Sequence, residues 1–232
     1  MAWNRLFKKP GRVLEVGCGQ GFMLAVLKDL GWDVYGIERN EQAARVAANL
    51  ADTDIFINGF LEVPDTARYE LIILFQVLEH MEDPYTLLSE CEKHLAPGGK
   101  IVISVPNFAS WQAEIMGERW FHLDPPRHLF HFSPATLKCL LQRAGLVMKS
   151  ISFVSWEHDP YGWLQSMFNR VGFPYNRLTK LLMRVEPFEL GDLLFIPLVL
   201  GLGPISILLA GVSWIMSKGA IMTVIAEKSG NQ

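Results

Sequence analysis

The sequence predicts an α/β fold built on a parallel sheet, and three observations carry that prediction. Short apolar runs alternate with helical patterns through the first two thirds of the 232 residues. Glycine, proline and cap signals fall at the joints between them. A strand, helix, strand repeat of this kind closes through right-handed crossovers onto one sheet.

Residues 12–16 read as the first strand, and after a glycine turn a helix runs over about 22–30. Residues 33–37 form the second strand and the alanine-rich stretch 41–50 the second helix. Strands recur at 54–57, 70–75 and 100–105, with a helix over 84–95 between the last two. Pro97-Gly98-Gly99 marks a turn just before Lys100. Ser133 is suited to cap a helix that opens on Pro134, runs to about 144 and stops at Gly145. Two further β-type runs lie at 147–154 and 220–226.

Two stretches break the alternation. Residues 106–132 are rich in aromatics and histidine, and residues 156–218 separate the last two strands. Between 108 and 175 fall 13 of the 26 aromatic residues. That density suggests a large apolar wall beside the sheet, or a second patch of ordinary core.

Composition limits the function classes. With 21 Lys and Arg against 24 Asp and Glu, the net charge is −3, and no globally basic surface exists to bind nucleic acid. Hydrophobic residues make up 50% and charged residues 19%, which excludes intrinsic disorder. The mean hydropathy of +0.20 exceeds what one core uses. Cys18, Cys91 and Cys139 are widely spaced without a CxxC pair, so neither a disulfide framework nor a cysteine zinc site is expected. Residues 1–10 are basic but lack an apolar h-region, so a cytoplasmic location is expected.

The most specific signal is Glu15-Val16-Gly17-Cys18-Gly19-Gln20-Gly21, between the first strand and its helix. Glycines let the backbone turn tightly and approach a ligand with no Cβ in the way, and the helix start behind them offers free N–H groups. A dinucleotide fingerprint reads G-x-G-x-x-G, whereas this is G-x-G-x-G with an acid two residues upstream. A pyrophosphate would be repelled by that carboxylate; a cationic, amino-acid-bearing ligand would not.

At these residues the chain resembles the class I S-adenosylmethionine-dependent methyltransferases. Residues 15–21 match the family's first motif, and Glu38, ending Tyr35-Gly-Ile-Glu38, matches the acid that grips both ribose hydroxyls. Residues 71–80 and 95–105 are similar to its later landmarks. The resemblance covers roughly 11–155 and 220–227. It implies a doubly wound, mostly parallel, seven-stranded Rossmann-like sheet whose last strand is antiparallel and inserted beside the 147–154 strand; the residues themselves add a hydrophobic insert before it. It implies S-adenosyl-L-methionine as cofactor, bound by Glu15, Gly17, Cys18, Gly19, Gly21, Glu38, Phe75 and Gln76. Many relatives place Gly-Asp after the third strand; here the pair is Gly59-Phe60, so adenine recognition falls to backbone groups or Glu62.

Methyl transfer is an in-line displacement at the sulfonium methyl, for which the protein supplies alignment and a dry pocket. An oxygen or nitrogen acceptor also calls for a base poised near neutrality. Glu79-His80 follows the fourth strand, and His122, His128 and His131 lie in the 120–131 segment on the expected acceptor side. The catalytic candidates are therefore His80, His128 and Glu79. Arg127 pairs either with an acceptor carboxylate or, more simply, with Asp124. The pattern is similar to the ubiquinone-pathway O-methyltransferases, where Glu-x-x-Glu-His and a later His form a metal-assisted site. Here it reads Gln76-x-x-Glu79-His80; an amide replaces the first carboxylate and no bound metal is expected.

Residues 193–217 carry no charge, long enough to raise the question of a membrane span. Because the flanking strands belong to one sheet, the segment must return to the side it left. Gly201-Leu-Gly-Pro204 supplies a break, giving two apolar arms that dip into one leaflet as a hairpin, or a buried hairpin that covers the sheet or packs a dimer. Residues 176–185 read as a basic amphipathic helix, with Leu178, Leu181, Leu182 and Val185 on one side and Arg177, Lys180 and Arg184 elsewhere. Arg5, Lys8 and Lys9 beside Trp3, Leu6 and Phe7 offer a second membrane contact. Only some eleven residues precede the first strand, so the insert and the 106–132 segment are what remains to cap the acceptor.

The expected organisation is a cofactor-binding domain over 1–155 and 219–232 with an insert over 156–218. The expected activity is O-methylation of a lipophilic small-molecule acceptor at the cytoplasmic face of a membrane, with no nucleic acid partner and a homo-oligomer open. Two other classes stay open: a cofactor-binding module without turnover, and a nicotinamide-dependent oxidoreductase.

Overall fold

A computed structural model describes residues 10–230. Its elements alternate as the apolar runs require. The first strands are β1 (Arg12–Val16), β2 (Asp33–Ile37), β3 (Ile55–Phe56) and β4 (Tyr69–Phe75). They are followed by β5 (Leu95–Pro106), β6 (Leu146–Ser152) and β7 (Ile221–Lys228). The helices between the early strands are α1 (Phe22–Asp29), α2 (Glu41–Ala51) and α3 (Pro84–His94). Later come α4 (Trp111–Met116), α5 (Pro134–Arg143), α6 (Asp159–Arg170), α7 (Arg177–Leu182) and α8 (Phe195–Ile215).

The seven strands lie in the order β3-β2-β1-β4-β5-β7-β6. From β3 to β5 every pairing is parallel. The Ser229 N–H, just past β7, donates to the Gly145 carbonyl just before β6 at 2.8 Å, so these neighbours run antiparallel. Chain compactness divides the molecule into two units. The first holds the described residues up to Ser104 with Lys138–Ser150 and the segment from Val224 onward; the second holds Val105–Leu137 and Ile151–Thr223.

In the first unit both faces of the sheet are apolar. Alternate residues of β4 and β5, such as Leu71, Ile73 and Val102 against Ile72, Leu74 and Ile103, are all fully buried, as expected of a parallel sheet covered on two sides. Leu24 and Leu27 of α1 and Ala47 and Ala51 of α2 pack into one cluster with Val13, Leu71 and Ile73. The helix starts follow local chemistry: Asn40 accepts the Ala43 N–H at 2.9 Å, and Asp83 accepts from Tyr85 and Thr86 with Pro84 in the first turn. The Ser133 hydroxyl likewise takes the Thr136 N–H at 3.2 Å in the second unit. Pro97-Gly98-Gly99 turns inside the paired length of β5, where the register against β4 slips between Tyr69 and Leu71.

The second unit is built on α6 and α8. Trp163 of α6 clusters with Ala210, Leu209 and Trp214 of α8, and Leu164 and Phe168 cluster with Phe195, Leu198 and Leu202. The two helices therefore pack side by side and antiparallel along most of α8.

Two expectations for this region are corrected. Gly201–Pro204 does not break the chain into two arms: α8 is one helix with Pro204 inside it. Proline removes one N–H from the ladder and crowds the preceding turn. Glycines at 201 and 203 lie in that turn, and Ser206 donates its hydroxyl to the Gly203 carbonyl at 2.7 Å. The basic helix expected over 176–185 is the shorter α7, and its arginine does not face solvent. Arg177 is buried and bidentate to Asp192, with Nε–Oδ1 at 3.0 Å and Nη2–Oδ2 at 2.7 Å, and it also meets Glu186 at 2.6 Å. Lys180 pairs with the same Glu186 at 2.8 Å. The acids lie just beyond the stretch whose periodicity suggested a basic face. The contact expected of Trp3, Arg5, Leu6, Phe7, Lys8 and Lys9 lies outside the described residues.

Candidate functional site

The glycine loop sits where β1 hands over to α1, in the first unit. Gly17 and Cys18 donate their N–H groups to the Ile37 carbonyl at 2.8 and 3.1 Å, which ties the loop to the end of β2. Three left-handed glycines, at φ 70, 55 and 79° for positions 17, 19 and 21, make the turn. Their reasons differ. A Cβ on Gly17 would lie 2.6 Å from Val77 Cγ2, and one on Gly21 2.7 Å from Ala47 Cα. Around Gly19 nothing lies within 4 Å: that glycine faces open space, the cradle a ligand needs. The start of α1 behind it has no side-chain cap, so its N–H groups remain available.

Two carboxylates flank the loop. Glu38 follows β2 and accepts the Gly19 N–H at 2.9 Å and the Asn40 N–H at 2.8 Å, one on each oxygen. It thereby fixes the mouth of the loop. Glu15 is buried in β1, and its Oε2 has no hydrogen-bond partner. Burial pushes its carboxyl up to about 8. A buried, unpartnered acid is costly to leave alone and is matched by a cationic group brought by a ligand. Cys18 turns inward among core residues; burial and the neighbouring acids push its thiol up to about 12, so it stays a neutral packing group.

Phe75 ends β4 opposite Ser104. Gln76, next in the chain, adopts φ 54° while its N–H donates to the Ser104 carbonyl at 2.9 Å. This left-handed residue re-aims the chain after the strand, a place where non-glycine residues rarely sit without a functional reason. Leu78–His80 then forms a single 3-10 turn. Glu79 there is fully buried with both oxygens unpartnered, and burial pushes it up to about 8. His80 beside it is exposed. Glu62, one of the two expected adenine contacts, accepts the Ile57 and Asn58 N–H groups at 2.6 and 3.2 Å.

His128 belongs to the second unit. Its Nδ1 lies 2.8 Å from the His122 carbonyl, a contact that puts the proton on Nδ1 and leaves Nε2 basic. Asp124 Oδ2 is 3.9 Å from Nε2 and also holds Arg127 at 2.5 Å, the simpler of the two partners expected for that arginine. His131 is held by the Leu123 carbonyl at 3.0 Å. His122 is buried, and burial pushes its imidazole down to about 3, so it is a neutral structural ring.

Sequence reasoning missed several residues that hold these groups. Asn40 anchors Glu38, a role its place two residues after the acid signals. Val77, packed where Gly17 lacks a side chain, and the buried acceptor Asp159 carried no local signature. Asp159 receives Trp214 Nε1–H and, at 3.1 Å, the Ile221 N–H.

Comparison with known proteins agrees with this arrangement. A family model described as a methyltransferase domain matches residues 2–151. A probable S-adenosylmethionine-dependent methyltransferase of Mycolicibacterium smegmatis is 33% identical over 138 residues, covering 57% of this chain and 51% of the relative. A ubiquinone biosynthesis O-methyltransferase of Maricaulis maris is 28% identical over 158 residues, 62% of each chain. One of Cereibacter sphaeroides is 30% identical over 171 residues, 68% of each. The chain thus spans between half and two thirds of the length of the first two. Among solved structures, a SAM dependent methyltransferase from Archaeoglobus fulgidus has the same fold, with a TM-score of 0.60, 21% identity and coverage of 97% of this chain and 90% of that one. Magnesium protoporphyrin IX methyltransferase from Synechocystis, with bound SAH, follows at 0.54, with 19% identity over 66% of this chain and 73% of that one.

Proposed function

Because the chain belongs to the S-adenosylmethionine-dependent methyltransferase domain family, we propose that it transfers the sulfonium methyl group to an oxygen of a lipophilic small molecule. The observation that carries this reading is the loop at Gly19: open above its glycine, anchored by Glu38, and backed by the unpartnered carboxylate of Glu15. These residues fit an amino-acid-bearing, ribose-bearing cation. Glu38 is placed to take the ribose hydroxyls, Glu15 the ammonium group, and the N–H groups at the start of α1 the carboxylate. When bound, S-adenosylmethionine supplies an activated methyl group and a neutral leaving group.

The remaining work belongs to side chains of this protein. An acceptor hydroxyl must lose its proton as the new bond forms, and a neutral imidazole is suited to take it. His128 is fixed by the His122 carbonyl in the tautomer with basic Nε2; His80, just after β4, is the other candidate. The relatives named for ubiquinone biosynthesis support oxygen as nucleophile and an apolar acceptor.

The test is incubation with methyl-labelled cofactor and a cell extract, partition between solvent and water, and mass spectrometry of the labelled product. Label in a solvent-soluble ether is the expected result. Label confined to the aqueous phase overturns the acceptor class. In parallel, His80→Ala and His128→Ala are assayed for cofactor affinity and turnover separately. Lost turnover with affinity intact supports a base; loss of both marks a structural histidine.

A further inference from the structure

Helix α8 is built inside out for a water-soluble protein. Its buried positions, Phe195, Ser206, Ala210 and Ser213, fall on one stripe, and that stripe carries both of the helix's hydroxyl residues. Each serine donates back to its own helix, to the Gly203 and Leu209 carbonyls at 2.7 Å. The opposite stripe is exposed and wholly apolar: Ile196, Leu200, Ile205, Leu208, Val212 and Ile215. An ordinary surface helix shows the reverse pattern, and apolar patches on this scale mark an interaction surface.

We propose that this outward face is a membrane-docking surface, with α8 lying flat in one leaflet of a lipid bilayer. The segment Leu190–Ile215 is long and apolar enough to cross a membrane, and only 17% of its most apolar window is buried. Crossing is nonetheless excluded by its partner. α6 lies alongside α8 and buries Asp159, Gln165 and Asn169 in hydrogen-bonded pairs, with exposed Arg170 at its end. Turning α8 along the bilayer normal would carry those groups into hydrocarbon. Lying flat, α8 meets lipid with its apolar face and leaves α6 above it.

A second copy of this chain does not account for the face equally well. The exposed stripe is one helix wide, about 30 Å by 10 Å, on the order of 300 Å² in projection, well short of the roughly 800 Å² per partner of a stable dimer. A crossing helix also covers only the turns near the crossing point. The apolar exposure here runs on through Leu182, Met183, Val185, Phe188 and Leu190 before the helix and Met216 after it. Trp156, exposed and packed edge-on against Trp214 at 4.5 Å, is suited to the headgroup level. With Arg177 and Lys180 engaged by Glu186 and Asp192, and Glu189 exposed beside them, the attraction rests on apolar burial rather than on charge.

The experiment uses the full chain and sealed phosphatidylcholine vesicles, without cofactor, so its outcome is independent of methyl transfer. Flotation is measured at low and high salt, and thermal melting checks that each variant is folded. The expected result is that the chain floats with neutral vesicles at both salt levels, and that Leu200→Glu with Leu208→Glu lowers binding at least about tenfold. In a Cys139→Ser background, Glu189→Cys and Ser217→Cys should both react with an impermeant thiol reagent added outside. Binding that requires anionic lipid and disappears in salt overturns the proposal. So does a wild-type dimer that ignores vesicles and is made monomeric by the double variant. Labelling of only one of the two cysteines overturns the flat orientation.

Discussion

The two units of this protein treat buried carboxyl groups in opposite ways. In the first, the acids buried near the ends of β1 and β4, Glu15 and Glu79, have unpartnered oxygens. In the second, the buried acids Asp159 and Asp192 are met by donors, although Gln112 Oε1, Trp120 Nε1, His122 Nε2 and Trp163 Nε1 stay unpartnered. Gln165 Nε2 donates to Asn169 Oδ1 at 2.8 Å, Asn169 Nδ2 to Asn176 Oδ1 at 3.0 Å, and Asp159 collects two N–H groups. An unpaired buried acid costs free energy that protonation lowers and a cationic ligand can recover, whereas paired burial fixes one packing. The difference teaches where chemistry resides: the unpaired acids of the first unit suit a ligand, while those of the second hold their own backbone and side chains.

Substitutions can break or sharpen this contrast. The largest effect is expected at Asp159→Ala, which strands the Trp214 and Ile221 donors in the interior and should cost about 2–4 kcal/mol of stability, read by chemical denaturation and by hydrogen exchange in residues 151–223. Cofactor affinity should stay within about twofold. Glu38→Ala should do the converse, weakening S-adenosylmethionine binding about 100-fold by calorimetry, roughly 2.7 kcal/mol, with the melting temperature little changed.

A smaller, graded effect is expected for pH. Because burial holds the Glu15 carboxyl up at about 8 against an ordinary 4.5, the unfolded chain gives up this proton at lower pH than the folded one. Its contribution to stability in the unliganded protein therefore falls as pH rises between those values and is level above. A cationic ligand favours the ionised acid, so affinity should climb by up to about tenfold per pH unit below 8 and then level off. Glu15→Gln should flatten that profile; a profile unchanged in the variant would separate Glu15 from the ligand. The smallest effect is expected at Leu200→Ser on the exposed stripe of α8, within about 0.5 kcal/mol of wild-type stability, although the same change inside the β-sheet core would cost several times more.

Much of the first unit was legible because local signals and tertiary context agree. The bounds of β1 and β2 match the apolar runs at 12–16 and 33–37 to the residue; in the second unit Ser133 caps α5 as its side chain suggests. The glycine loop was legible too, since its conformation is written in residues that tolerate positive φ. What was not legible depends on distant pairing. Arg177 looked like one face of a basic helix until Asp192, fifteen residues on, closed a bidentate pair with it. Gly201–Pro204 looked like a break because helix propensities assume water, while packing against α6 on both sides of Pro204 carries the helix through. Glu62 was open to ligand duty in sequence, and only the fold shows its carboxylate bridging Ile57 and Asn58. Nothing short of the folded chain says which glutamate will be left waiting.

The position of β7 between β5 and β6 has one more consequence. Ser152 and Ile221 end and begin neighbouring antiparallel strands, so the whole 153–220 segment is topologically one overgrown hairpin loop. Lengthening such a loop from about four residues to about seventy adds only about 2.5 kcal/mol of closure entropy, a toll that a segment with its own packing readily offsets. The segment is not free-standing, however: Trp163 and Ala210 share a core with Trp120 and Met116 of the 106–132 stretch, so an engineer who excised it for a tight turn would also have to give that core a new cover.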